Sequence, residues 1–156
     1  MKKLLLVLLL IPFMSYCQDE VSSTYKDFEM TKAIKFSQTK NIAYLNSLIW
    51  IAETFGDANE AIKLKDKEEG VIVVKSITDY GGFDTNFTMT LMFNEEECLV
   101  SYKKFKNEYY GYNTNGWGIK PNACYTKSCK KNYSKWYSSL EAIVEMINSS
   151  LTKEIN

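Results

Sequence analysis

Between positions 40 and 55, Ile42, Leu45, Leu48, Ile49, Ala52 and Phe55 recur at spacings of three and four. That period predicts a helix burying the face they share, ended by Gly56, a residue tolerant of the left-handed conformation. A longer stripe near the end of the chain, Tyr133, Trp136, Tyr137, Leu140, Ile143, Val144, Ile147 and Leu151, predicts a second helix over 132–153 with Asn132 as its cap. Period-two patterns fill the interval. Thr24 to Ser37 reads as one long or two short strands, and Glu60–Lys65 with Val71–Thr78 as a hairpin about the charged linker Asp66 to Gly70. Phe87, Met89, Leu91 and Phe93 alternate with Asn86, Thr88, Thr90 and Met92, and after a turn at 94–97 the chain returns through Cys98, Val100 and Tyr102. The order strand, helix, four-strand meander, helix specifies an α+β domain: an antiparallel sheet with two helices on one face and the other face without a helix.

Residues 106–131 break both periods. Gly111, Gly116, Gly118 and Pro121 are interspersed with Tyr109, Tyr110, Tyr112, Trp117 and Tyr125. Irregular segments of this length are uncommon in compact domains and often functional, and aromatics beside lysine and asparagine suit a recognition surface. An equally good reading has Tyr109, Tyr112 and Trp117 folding back over the bare sheet face. These five aromatics are the candidate binding residues.

The first 17 residues have the layout of a cleaved secretory signal: Lys2 and Lys3, an apolar run from Leu4 to Phe13 broken only by Pro12, then Ser15-Tyr16-Cys17 before a polar segment. The run is too short to span a membrane as a helix. A lipoprotein signal acylated at Cys17 is the competing reading, disfavoured by bulky Tyr16 where a small residue is normal. Residues 18–156 then form a single domain of ordinary size, exported to the periplasm or beyond the cell. Loss of Lys2 and Lys3 turns the formal charge from +0 to −2, since every acidic residue stays.

The chain has no histidine and no arginine. Imidazole nucleophile pairs and the commonest zinc ligand are therefore excluded, as is the bidentate fork for phosphate. A slightly acidic, exported chain also lacks what nucleic-acid backbones require, so no nucleic-acid partner is expected. In an oxidising compartment Cys124 and Cys129 suit a structural disulfide, their four-residue gap differing from the two-residue redox motif. Cys98 shares a strand face with Val100 and Tyr102 and reads as a small buried hydrophobe. The clusters Asp66, Glu68, Glu69 and Glu95–Glu97 fall on turns, without the ligand spacing of a calcium loop, so neither metal nor cofactor is expected.

The segment Ile42 to Phe55 with its Trp50, then Asp57-Ala58, then Ile62 through the acidic turn to Gly70, Val71 and Ile72, resembles the domain of unknown function 4468 over about residues 40–105. The resemblance implies half of a TATA-binding-protein-like saddle in an exported protein of the Bacteroidetes, and it supplies no catalytic residues. Fold does not carry function with it. The reading that follows is a non-enzymatic binding or accessory module of the cell envelope with a protein or peptide partner. A carboxylate- or lysine-dependent hydrolase of envelope glycans and a purely structural envelope protein are the alternatives.

Overall fold

The computed structural model describes residues 28–107 and 127–156. Five strands form one antiparallel sheet: β1 (Met30–Lys35), β2 (Ile62–Asp66), β3 (Val71–Tyr80), β4 (Phe83–Phe93) and β5 (Glu97–Asn107). Their spatial order is β1-β5-β4-β3-β2. The meander β2 to β5 follows the sequence order, and β1 closes the far edge by pairing with β5, Ile34 opposite Cys98 and Met30 opposite Tyr102. Helix α1 (Lys40–Phe55), the single turn α2 (Ala58–Ala61) and α3 (Lys127–Ile155) complete the domain.

Turn chemistry fixes the registers. Gly81 and Gly82, at φ of 64° and 79°, form the two-residue loop between β3 and β4, where a right-handed sheet twist requires two positive φ angles. At the β2–β3 turn the Glu69 amide donates to Asp66 Oδ1 at 3.0 Å. Gly70 closes that turn at φ 73°, and a Cβ there would lie 2.8 Å from the Phe93 carbonyl oxygen. Asp57 caps α2 by accepting from the amides of Asn59 and Glu60, so Glu60 and Ala61 belong to that turn of helix and the hairpin strand starts at Ile62.

Helix α1 occupies the predicted residues but presents the opposite face. Ala43, Tyr44, Ser47, Trp50 and Ile51 are buried, whereas Ile42, Leu45, Ile49 and Ala52 are exposed and only Leu48 and Phe55 are partly covered. Two interleaved stripes satisfy the helical period. The inward one holds Tyr44 and Trp50, whose large areas outweigh those of isoleucine and leucine, while Ala43 and Ser47 allow close approach. Tyr44 meets Phe93 edge-on at 5.6 Å, and the Trp50 indole N–H donates to Ser150 Oγ at 3.0 Å.

Helix α3 buries the predicted stripe except Tyr137, which is partly covered, and adds Ile155. It already runs at Lys127, so Asn132 lies within the helix rather than capping it. Cys129, packed against the core one turn before Tyr133, extends the apolar stripe and favours continuing the helix backwards. Residues 106 and 107 belong to β5 and 127–131 to α3, which leaves 108–126 as the remainder of the irregular stretch, outside the described residues.

Both long helices lie on one sheet face. Helix α1 reaches Phe93 and Phe87 of β4 through Tyr44 and Phe55. Helix α3 reaches Thr85 of the same strand, whose hydroxyl accepts from the Trp136 indole N–H at 2.9 Å. A bulge in β5, with Lys104 at φ 59° and two residues opposite one of β4, turns Phe105 into this core, where it stacks on Phe87 at 6.0 Å.

Candidate functional site

Strand alternation sends every second residue to the other face, against which neither long helix packs. Cross-strand register places Leu64, Val73, Thr90, Ser101 and Thr31 in one row across the five strands, and Asp66, Val71, Met92, Leu99 and Ala33 in the next. A third row sets Lys75 and Lys103 on either side of Thr88. Ile77 follows beyond it. Leu64, Ile77 and Met92 are 52%, 50% and 47% exposed, while Val71, Val73 and Leu99 are half-buried among their neighbours. Among the described residues this face carries no aromatic side chain. It is a gently apolar surface crossed by hydroxyls and bordered by lysine. Met92 was legible in the alternation of β4 as a residue of the outward face. The exposure of Leu64 and Ile77 was not, because each lies in a run read simply as strand.

The two acidic turns meet the N-terminus of α1. Phe93 N–H donates to the Gly70 carbonyl at 2.8 Å, drawing the turns together, and Thr39, Lys40, Asn41, Lys67, Glu68 and Glu95 line an open pocket of about 360 Å³ there. Glu68 and Glu95, from separate turns, thus share one pocket, and the Lys40 ammonium donates to the Glu68 carbonyl at 3.4 Å. No group of three acidic or thiol side chains among the described residues could hold a metal ion.

Cys98 is fully buried and is the free cysteine among the described residues. Burial pushes its thiol up to about 12, against a smaller opposing effect of a backbone hydrogen bond at Met92. Burial likewise raises Tyr102, with Cys98 and Glu145 adding to it, and its hydroxyl lies 3.5 Å from Asn148 Oδ1. Burial also raises Tyr44, assisted by the Asp66 carboxylate. All three face the core, and their chemistry is that of packing.

Of the residues singled out from sequence, Cys129 stands in the first described turn of α3. Tyr109, Tyr110, Tyr112, Trp117, Tyr125, Cys124 and the signal segment with Cys17 lie outside the described residues. No helix among the described residues is long and apolar enough to cross a membrane.

Two crystal structures share this architecture. One is of a DUF4468 family protein from Bacteroides ovatus, with a TM-score of 0.58 at 15% identity over 83% of this chain and 86% of that one. The other is of a TBP-like protein from Parabacteroides distasonis, with a TM-score of 0.54 at 10% identity over 82% and 94%. At such identities the likeness is one of fold. No curated protein matches the chain significantly. The family model described as a domain of unknown function (DUF4468) with TBP-like fold matches residues 31–108, from β1 past the end of β5, and the chain belongs to that family.

Proposed function

We propose that the protein is an exported, non-enzymatic binding or accessory module of the bacterial cell envelope that holds a protein or peptide on the sheet face against which neither long helix packs. The observation that carries this reading is the half-exposed pair Leu64 and Met92, joined across the strands by half-buried Val71, Val73 and Leu99, on a face that neither long helix covers. Contiguous apolar surface rimmed by polar groups is what protein partners use. Export rests on the signal-like layout of residues 1–17. A Cys124–Cys129 bridge belongs to the same proposal, supported by the position of Cys129 at the start of α3 and by the burial of Cys98, which removes it as a competing partner.

Affinity isolation from the native envelope tests the reading. A partner retained by the wild type should be lost with Met92→Lys and with Leu64→Lys, with circular dichroism unchanged. Retention by both variants would sink the proposal. Hydrolysis of envelope glycans abolished by Glu68→Gln or Glu95→Gln would put the hydrolase in its place.

A further inference from the structure

We propose that the free edge of β1 is a self-association seam, along which a second copy of the chain pairs its own β1 antiparallel and joins the two sheets into one. Backbone geometry decides which groups are open there. Phe36 N–H donates to the Glu96 carbonyl at 3.3 Å, in the register that sets Ile34 opposite Cys98 and Met30 opposite Tyr102. Hydrogen-bonded pairs recur at every second residue of an antiparallel ladder. Met30, Lys32 and Ile34 therefore turn their amides and carbonyls to β5, while Thr31, Ala33 and Lys35 turn theirs to the edge. Among the described residues no backbone group from outside the sheet bonds to those three. The strand holds no proline and pairs with β5 without a bulge, whereas β2, at the other edge, is irregular between Ile62 and Leu64. A straight edge of this kind is a template for another strand.

Charge selects a second copy as the occupant. Edge-directed groups must meet edge-directed groups, and a two-fold axis at Lys32 satisfies this by placing Thr31 of one copy opposite Ala33 of the other. The same register sets exposed Glu29 opposite exposed Lys35 at both ends of the seam. In the neighbouring registers Glu29 would meet Ala33 or Ser37 instead. Within each copy Lys35 already stands across from Glu97 of β5, and Glu29, one residue before the Met30–Tyr102 pair, comes level with Lys103. The row crossing the seam thus reads Lys103, Glu29, then Lys35 and Glu97 of the other copy, with alternating sign on one sheet face. On the inner side the axis brings the two Lys32 together, each paired with its own Glu145, and half-buried Met30 lies against Ile34 of the other copy. The contact is isologous and closes on itself. One strand pair makes an interface well below the roughly 800 Å² per partner of stable complexes, which sets a dissociation constant on the order of 10–100 μM.

Sedimentation equilibrium of the purified protein from roughly 5 to 500 μM, a range bracketing that constant, should show monomer and dimer. Ala33→Pro removes an N–H that points away from the monomer's own sheet, a position where an edge strand tolerates proline. It should abolish the dimer, with circular dichroism at the dilute end of the range showing that the fold persists. Glu29→Lys should weaken the dimer by roughly tenfold, and the pair Glu29→Lys with Lys35→Glu should regain it. A monomer throughout the range overturns the proposal, as does a dimer indifferent to Ala33→Pro. Should the proline variant fail to fold, Glu29→Lys decides in its place, an unchanged dimer overturning the proposal. Failure of the charge-exchanged pair to regain association overturns the register.

Discussion

Replacing Ile51 by alanine in one variant and Ile49 in another asks which stripe of α1 is the core. Ile51 is 0% exposed, so truncation removes three buried carbons and leaves a cavity among well-packed neighbours, a change that typically costs about 2–5 kcal/mol. Ile49 is 57% exposed, so less than half of its burial is at stake. That amounts to about 1 kcal/mol of lost apolar transfer, partly offset by the roughly 0.4 kcal/mol by which alanine favours helix over isoleucine. The difference between the variants should therefore be about 1.4 kcal/mol or more. Urea unfolding followed by tryptophan fluorescence, with the two m-values equal to wild type, measures it as a difference in midpoint. Equal costs, or a larger cost for Ile49→Ala, would refute the inward assignment of Tyr44, Trp50 and Ile51 and restore the face that the sequence pattern favours.

Three further outcomes are expected. Gly70→Ala should destabilise by about 2–3 kcal/mol, because alanine resists a positive φ and its Cβ would press on the backbone oxygen of Phe93 as well as on the movable Lys40 side chain; thermal denaturation compares it with Gly56→Ala, where no atom lies within 4 Å of the added Cβ. With its folded-state value raised from 9.0 to about 12, Cys98 binds its proton more tightly folded than unfolded. Its contribution is thus complete below pH 9 and declines between 9 and 12, by up to about 1.4 kcal/mol per pH unit. Stability measured across that window should fall less steeply in Cys98→Ala, and native Cys98 should resist a thiol reagent that labels it after unfolding.

Element type was legible in the chain because it depends on local period. Strands β3 to β5 and helix α1 stand where alternation and three-four spacing put them. Boundaries were harder to read. The start of α3 was placed at Asn132 because Asn is a good cap, yet Cys129 adds one more residue to the apolar stripe and the helix continues through it. The hairpin arm at Glu60 was read through a helical turn that Asp57 caps, a short-range hydrogen bond that competes with strand. The candidate aromatics at 109–125 fall outside the described residues, and on the outward sheet face Met92 was legible from the alternation while Leu64 and Ile77 had been assigned merely to a strand.

The sequence by itself determined the α+β class, the meander, the site of each long helix and the likeness to its family, since all of these follow from local periodicity and a few turn residues. It did not determine which side of α1 is inside. Ile42, Leu45 and Ile49 satisfy the helical period as well as Ala43, Tyr44, Ser47, Trp50 and Ile51 do. Only tertiary packing separates them, because the choice depends on what stands opposite: Phe93 takes the edge of Tyr44, and Ser150 of α3 takes the indole N–H of Trp50. The large aromatic surfaces and their one polar requirement are satisfied together on that side, and the aliphatic stripe is left facing outward.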